Sequence, residues 1–286
     1  FNISAACDER FRSLEISNKQ KSDLFNKYKI IRPFLLCVPS GIDPRKNLER
    51  LVQAYSTLSD DMRKDHQLVI ASAVNSDGKQ FLERIAQNAN LNDDELVITG
   101  YVTEEELVML YNLCRLFVYP SMYEGFGLPP LEAMACGAPV IVSNTSSLNE
   151  VVGREDMLFD PLSVESIAKK IDEVLKNDDF RKDLVRHGLQ QAKRFSWDES
   201  AKRAMYSLKK CLSQNKSMKE SYQPNSRPLL AYISPLPPEC SGISDYSAEL
   251  LPELARYYDI EVIVNPQNKS DYRIGACPDH RWRFGR

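Results

Sequence analysis

Along the first 212 residues, short apolar runs alternate with stretches where apolar side chains return every three or four positions. Phe34-Leu-Leu-Cys-Val38, Leu68-Val-Ile-Ala71 and Leu116-Phe-Val-Tyr119 have the length and the turn-rich flanks of buried strands. Leu96-Val-Ile98, Val140-Ile-Val142 and Met157-Leu-Phe159 read the same way. Between them, Leu48, Leu51, Val52 and Tyr55 share one helical face, as do Phe81, Ile85 and Ala89. Thr103-Glu-Glu-Glu106 is a capping box predicting a helix to about Leu113, and Ser196-Trp-Asp-Glu199 predicts a last helix to Leu212. Two more helices are predicted over 164–176 and 179–194. Strands regularly spaced by helices imply an α/β fold with a Rossmann-like, doubly wound parallel sheet over residues 1–212.

The pattern breaks at residues 213–228, which are polar, aperiodic and read as a linker. A second α/β unit starts beyond it. Leu229-Leu-Ala-Tyr-Ile233 is strand-like, a proline-rich loop runs from Ser234 to Ser244, and Asp245 to Tyr258 carries Tyr246, Leu250 and Leu254 at helical spacing. Ile260-Glu-Val-Ile-Val264 is a second strand. The roughly 60 residues of this unit (229–286) are too few to close a full layer, so it is expected to need support from elsewhere. The Pro235–Gly242 loop is read either as a site edge or as a stiffened turn.

Composition narrows the function. A formal charge of −3 with pI near 5.8 gives no basic footprint for nucleic acid. No apolar run approaches the roughly 18 residues that span a bilayer. The seven cysteines are scattered without a C-x-x-C pair, which fits buried thiols in a reducing, cytoplasmic setting. His66, His187 and His280 lie in polar contexts and are expected to be solvent-exposed. No Asp-x-Asp tripeptide occurs, so no metal site is expected, and Asp93-Asp94 and Asp178-Asp179 read as turn charges or caps.

The most informative stretch is Glu124-Gly-Phe-Gly-Leu-Pro-Pro-Leu-Glu132. It follows a predicted strand and opens a predicted helix, with Pro129 or Pro130 suited to the first helical position and Gly137 to the stop. Ligands of open α/β sheets bind at the carboxyl ends of the strands. Backbone amides freed by Gly125 and Gly127, with a positive helix end behind them, suit a phosphate. Glu124 at the mouth and Glu132 one turn inside add acceptors for hydroxyls, so a nucleotide-sugar fits.

Residues 120–140 resemble the signature of retaining GT-B glycosyltransferases of family 4. Gly41-Ile-Asp-Pro-Arg45-Lys46-Asn47-Leu48, Thr99-Gly100-Tyr101-Val102 and 143–153 resemble the same family in the same order. The resemblance implies that residues 1–212 form the donor-binding half and that 229–286 begin the acceptor-side half of a second, tandem enzyme. It implies Glu124, Lys46 and Arg45 as catalytic residues, with Lys46 and Arg45 facing the leaving diphosphate. Related proteins place their arginine several residues earlier, where this chain reads Pro39-Ser-Gly-Ile-Asp43, so the second cation is either Arg45 or missing. Glu124 would bind the transferred sugar and Glu132 the ribose. The amides of Gly125, Phe126, Gly127 and Leu128 would take sugar and phosphate, with Gly41 alongside. Gly100, Tyr101 and Val102 would flank the base, Tyr101 being equally readable as core; Ser121 and Glu150 are further candidates, Glu150 alternatively capping a helix over 150–152.

The implied partners are a GDP-, UDP- or dTDP-linked hexose, a glycan or lipid-linked acceptor at the inner face of the membrane, and the other halves of the tandem enzyme. No separate cofactor is implied. The tandem order and the Arg45-Lys46-Asn47-Leu48 variant resemble polymannan-type mannosyltransferases and point to GDP-mannose. The fragment alone is expected to bind donor without transferring it. A dehydrogenase is disfavoured because no G-x-G-x-x-G follows a strand. A sugar phosphorylase or synthase of related architecture and a non-catalytic nucleotide-sugar scaffold are the other readings.

Overall fold

A computed structural model describes residues 4–39, 41–214, 228–233, 242–263 and 283–284. The Pro235–Gly242 loop up to residue 241, His280, Cys240, Cys277 and most of the 213–228 stretch lie outside them. The chain divides into two compact units, Phe1–Lys210 and Cys211–Arg286.

In the first unit the elements run α1 (Asn18–Tyr28), β1 (Phe34–Cys37), α2 (Leu48–Ser56), α3 (Asp60–Asp65), β2 (Gln67–Ile70), α4 (Ser76–Asn88) and β3 (Leu96–Ile98). They continue with α5 (Glu104–Leu113), β4 (Leu116–Tyr119), α6 (Leu128–Ala135), β5 (Val140–Ser143), α7 (Leu148–Val152), β6 (Leu158–Phe159), α8 (Val164–Lys176), α9 (Asp178–Ala192) and α10 (Trp197–Gln214). The six strands form one parallel sheet in the order β3-β2-β1-β4-β5-β6. Strands β1, β2, β4 and β5 are buried at every position, as expected of a sheet covered on both faces. Helix α2 packs on α4 and α8, while α6 packs on α5, α7 and α9. The chain winds outward in one direction through β1-β2-β3 and then returns to β4, so the order reverses between β1 and β4. That reversal opens the crevice in which open α/β sheets bind ligands.

Several element ends differ from expectation. Val38 lies beyond β1, β2 starts one residue early, and Met157 closes a 3₁₀ turn rather than opening β6. Leu128 itself is the first residue of α6, because Gly127 caps it with φ 111°; Pro129 and Pro130 follow as second and third. Gly137 ends that helix with φ 83°, as its position suggested. Helix α7 begins at Leu148, leaving exposed Glu150 in its first turn rather than ahead of it. At the start of α10 the Ser196 hydroxyl accepts from the Glu199 amide at 3.5 Å. Helix α1, absent from the elements expected of the sequence, has no regular apolar period; it opens on a Ser17–Gln20 capping box and buries Leu24 and Tyr28.

The second unit contains β7 (Leu229–Ile233), α11 (Gly242–Leu254), β8 (Asp259–Ile263) and β9 (Arg283–Phe284), with the strands parallel in that order. Helix α11 starts three residues before Asp245 and ends at Leu254, short of Tyr258. Leu251, Ala255, Ile260 and Val262 form its small core. Among the described residues no helix is long and apolar enough to cross a membrane.

Candidate active site

The two strands that meet at the reversal deliver the two halves of the site. After β1 the chain passes Gly41 and makes a 3₁₀ turn, Pro44–Lys46, capped by the Asp43 carboxylate. After β4 it enters the Pro120–Gly127 loop. Lys46 Nζ donates to Glu124 Oε1 at 2.7 Å, joining residues 78 positions apart; their side chains are 9% and 16% exposed. Burial pushes the Glu124 carboxyl up. The Lys46 ammonium and the Ser121 and Tyr119 hydroxyls outweigh it and hold the group below the usual glutamate range. Glu124 is therefore an anion at neutral pH.

Backbone and side-chain bonds lock the two loops together. Met122 N–H donates to Arg45 O at 2.7 Å, and the buried Ser121 hydroxyl reaches the same carbonyl at 3.1 Å. Asn47, left-handed at φ 59° and buried, donates from Nδ2 to Pro120 O at 3.0 Å and to Pro161 O at 2.8 Å. From the other side, Ser146 Oγ accepts the Glu124 amide at 3.1 Å, and Ser147 Oγ donates to Phe126 O at 2.6 Å. The Phe126 ring packs edge-on against Phe195 at 5.6 Å, which anchors the loop inward.

The glycines divide into two kinds. A Cβ on Gly41, Gly100 or Gly125 would meet nothing within 4 Å, so these backbones border open space. A Cβ on Gly127 would stand 2.8 Å from Leu148 Cδ2, and its φ of 111° independently demands glycine. Two prolines behind Leu128 remove the second and third helical N–H groups. An anion cradle here therefore rests on the amides of Gly125, Phe126, Gly127 and Leu128 rather than on a full open helix end.

Glu132 lies beyond the first turn of α6, too far along the helix to serve simply as a carboxylate that stabilises the helix dipole. Tyr111 OH donates to its Oε2 at 3.0 Å. Burial pushes its carboxyl above the usual glutamate value, and the Tyr111 hydroxyl offsets this only in part.

Other expected residues are placed differently. Arg45 is exposed, and its guanidinium forks onto Asp43 through Nε and Nη2, both at 3.0 Å. What it contributes to the loop junction is its carbonyl. Tyr101 is 75% exposed, which excludes the core reading, and Val102 beside it is half-buried against the core. Gly100 and Tyr101 follow β3, an edge strand two positions away from the reversal. His66 and His187 are half-buried, not solvent-exposed as expected. His66 contacts Met62 O at 3.1 Å, with burial lowering its pKa, and His187 Nε2 contacts Val152 O at 2.7 Å. Asp94 pairs with Arg32, and Asp178 with Arg115 and Arg181. Among the described residues no group of three His, Cys, Asp or Glu side chains is placed to hold a metal.

Sequence reasoning missed Tyr111, Tyr119, Asn47, Ser146 and Ser147. Asn47 stood within a noted motif, but its buried left-handed backbone has no sequence signature beyond the tolerance of asparagine for that conformation. The tyrosines read only as core.

Comparison with known proteins agrees with this architecture. Residues 20–191 match the family described as glycosyl transferases group 1. The chain is 39% identical over 217 residues to the serotype-specific mannosyltransferase WbdA of Escherichia coli, covering 76% of this chain and 26% of that protein. It is 40% identical over 157 residues to O-antigen chain mannosyltransferase B of the same organism, covering 55% of this chain and 41% of the relative. The sucrose-phosphate synthase structure from Thermosynechococcus elongatus superposes with a TM-score of 0.61 at 25% identity, over 74% of this chain and 52% of that one. A parallel sheet with its cleft at the β1/β4 reversal, and neighbours of this kind, define a Rossmann-like layer of the GT-B glycosyltransferase class. The chain belongs to the glycosyl transferases of group 1. It spans about a quarter of the length of the WbdA proteins it matches.

Proposed function

We propose that residues 1–212 are the donor-binding half of a retaining hexosyltransferase, that 213–228 link it to a second unit, and that 229–286 begin another glycosyltransferase. The reading rests on one observation: the Lys46–Glu124 ion pair sits where the strand order reverses, beside an open glycine loop. The ammonium has three N–H donors, so Lys46 can keep Glu124 and still take a phosphate oxygen. In the proposed reaction the bond from the anomeric carbon to the diphosphate oxygen breaks, and an acceptor hydroxyl bonds to that carbon from the same face. Its proton passes to the departing phosphate, whose charge Lys46 and the loop amides stabilise. Glu124 orients the sugar hydroxyls, Glu132 the ribose hydroxyls, and Gly100, Tyr101 and Val102 flank the base.

The names of the matched relatives, mannosyltransferases of Escherichia coli, support mannose, hence GDP-mannose, as the donor. The acceptor is a polysaccharide or lipid-linked glycan met in the cytoplasm at the membrane face, with the acceptor wall supplied by a further half. Calorimetric titration with UDP, GDP, dTDP and their sugars tests the reading, repeated on Glu132→Ala and Glu124→Gln. The expected result is binding of GDP and GDP-mannose, without mannosyl transfer by this chain alone. Glu132→Ala is expected to weaken both ligands and Glu124→Gln chiefly the sugar nucleotide. Binding untouched by either substitution, in folded protein, would refute the site.

A further inference from the structure

Two tyrosines that look like core stand behind the two carboxylates. Tyr119, the last residue of β4, donates to Glu124 Oε1 at 2.8 Å, the oxygen that also accepts Lys46. Tyr111, in the last turns of α5, donates to Glu132 Oε2 at 3.0 Å. Among the described residues it is the one hydrogen-bond donor to that carboxylate. Both tyrosines are almost completely buried, at 0% and 2% exposure. Phe117 connects them, its ring stacked on Tyr119 at 6.0 Å and edge-on to Tyr111 at 5.5 Å. Phe117 and Tyr119 share a sheet face because they are two residues apart on a strand. The comparison inside this row is informative. Phe117 fills its space without a hydroxyl, whereas the two rings that reach a carboxylate each carry one. Burial raises the pKa of both tyrosines, so their hydroxyls remain neutral donors across the physiological range.

We propose that Tyr119 and Tyr111 are positioning residues that assign the two carboxylates to different parts of one ligand, Tyr119 fixing Glu124 for the sugar and Tyr111 fixing Glu132 for the nucleoside, with Phe117 holding the two in register. This rests on the donor-site reading above. The rigid row sets the spacing between the sugar contact and the ribose contact, and so contributes to which nucleotide-sugar fits.

The test is calorimetry of this chain with GDP and GDP-mannose, on wild type, Tyr119→Phe and Tyr111→Phe, with thermal melting to confirm folding. Removing Tyr119's hydroxyl should weaken GDP-mannose about fivefold while leaving GDP within about twofold, the scale of one hydrogen bond to an anion. Removing Tyr111's hydroxyl should weaken both ligands by the same factor. Because Tyr119 helps keep Glu124 ionised, Tyr119→Phe should also move the acid limb of GDP-mannose affinity to higher pH, and Tyr111→Phe should not. Equal losses for the two ligands in Tyr119→Phe, or an unmoved acid limb, would overturn the positioning roles. If Glu124→Gln still weakens GDP-mannose selectively in that case, the donor site stands and only this inference falls. Should the panel show a different base, the same pair of UDP or dTDP ligands replaces GDP in the test.

Discussion

Glu124 and Glu132 stand eight positions apart on one loop and helix, yet the fold treats them in opposite ways. At the mouth, an ammonium and hydroxyls overcome burial and keep Glu124 charged. Deeper in, Glu132 meets burial with a single phenol in support, and its carboxyl is pushed up. Environments that drive paired carboxyls apart commonly mark a division of duties. An anion already matched to a cation costs little to keep beside a diphosphate. A half-desolvated carboxyl instead has room for further donors, a role that ribose hydroxyls would fill in the proposed reading. The two sites also differ in their scaffolds, since the first joins two loops distant in sequence and the second lies within one packed helix layer.

That contrast can be broken most severely at Lys46. Lys46→Met leaves Glu124 buried beside no cation and is expected to cost about 2–3 kcal/mol in urea unfolding, with about a hundredfold loss of nucleotide-sugar affinity. Unchanged stability would mean the ion pair is solvated in solution. Next comes the loop shared by both carboxylates. Gly127→Ala must hold a left-handed φ with its Cβ against Leu148, and should lower stability by about 2 kcal/mol in the same measurement.

Glu132→Gln sharpens the comparison because its two effects have opposite signs. The folded-state pKa of Glu132 lies above its unfolded value, so its favourable contribution is complete below the unfolded pKa and is lost as pH rises through the folded one. The glutamine variant should therefore match wild type near pH 4 and become the more stable of the two as pH rises to about 8, while binding nucleotide about tenfold more weakly. A stability curve parallel to wild type across that range would remove the distinction drawn here. The smallest effect is expected at Arg45. Its fork is occupied by Asp43 and it is exposed, so Arg45→Ala should change nucleotide affinity by about threefold at most. A larger loss in titration would identify Arg45 as the second cation on the diphosphate.

Much of this was legible beforehand for local reasons. Strands β1 to β6 announced themselves as apolar runs. The Thr103–Glu106 capping box was readable four residues at a time and is closed in the structure by reciprocal bonds of 3.0 and 3.3 Å. Glycine at 127 and 137 was readable because a stop or a sharp turn restricts the residue that can stand there. Helix α1 escaped because burying only Leu24 and Tyr28 leaves no period to detect, and α11 was placed about three residues late because the periodic positions Tyr246, Leu250 and Leu254 do not mark where it starts or stops. The exposure of Tyr101 was undecidable from a strand-end position.

By itself, then, the chain determined its periodicities, its caps and turns, and the chemical types offered by the Lys46 and Glu124 loops, since these depend on neighbours a few positions away. Only the tertiary structure decided that β1 and β4 lie side by side, which brings Lys46 within 2.7 Å of Glu124. It also decided that Tyr111 and Tyr119 direct hydroxyls onto two different carboxylates. Strand order, burial and the charge state of a carboxyl depend on what packs together, which for Tyr111 and Glu132 spans 21 residues of sequence and for Lys46 and Glu124 spans 78. Even Tyr119 and Glu124, five positions apart, meet only because the loop after β4 folds back on the strand end.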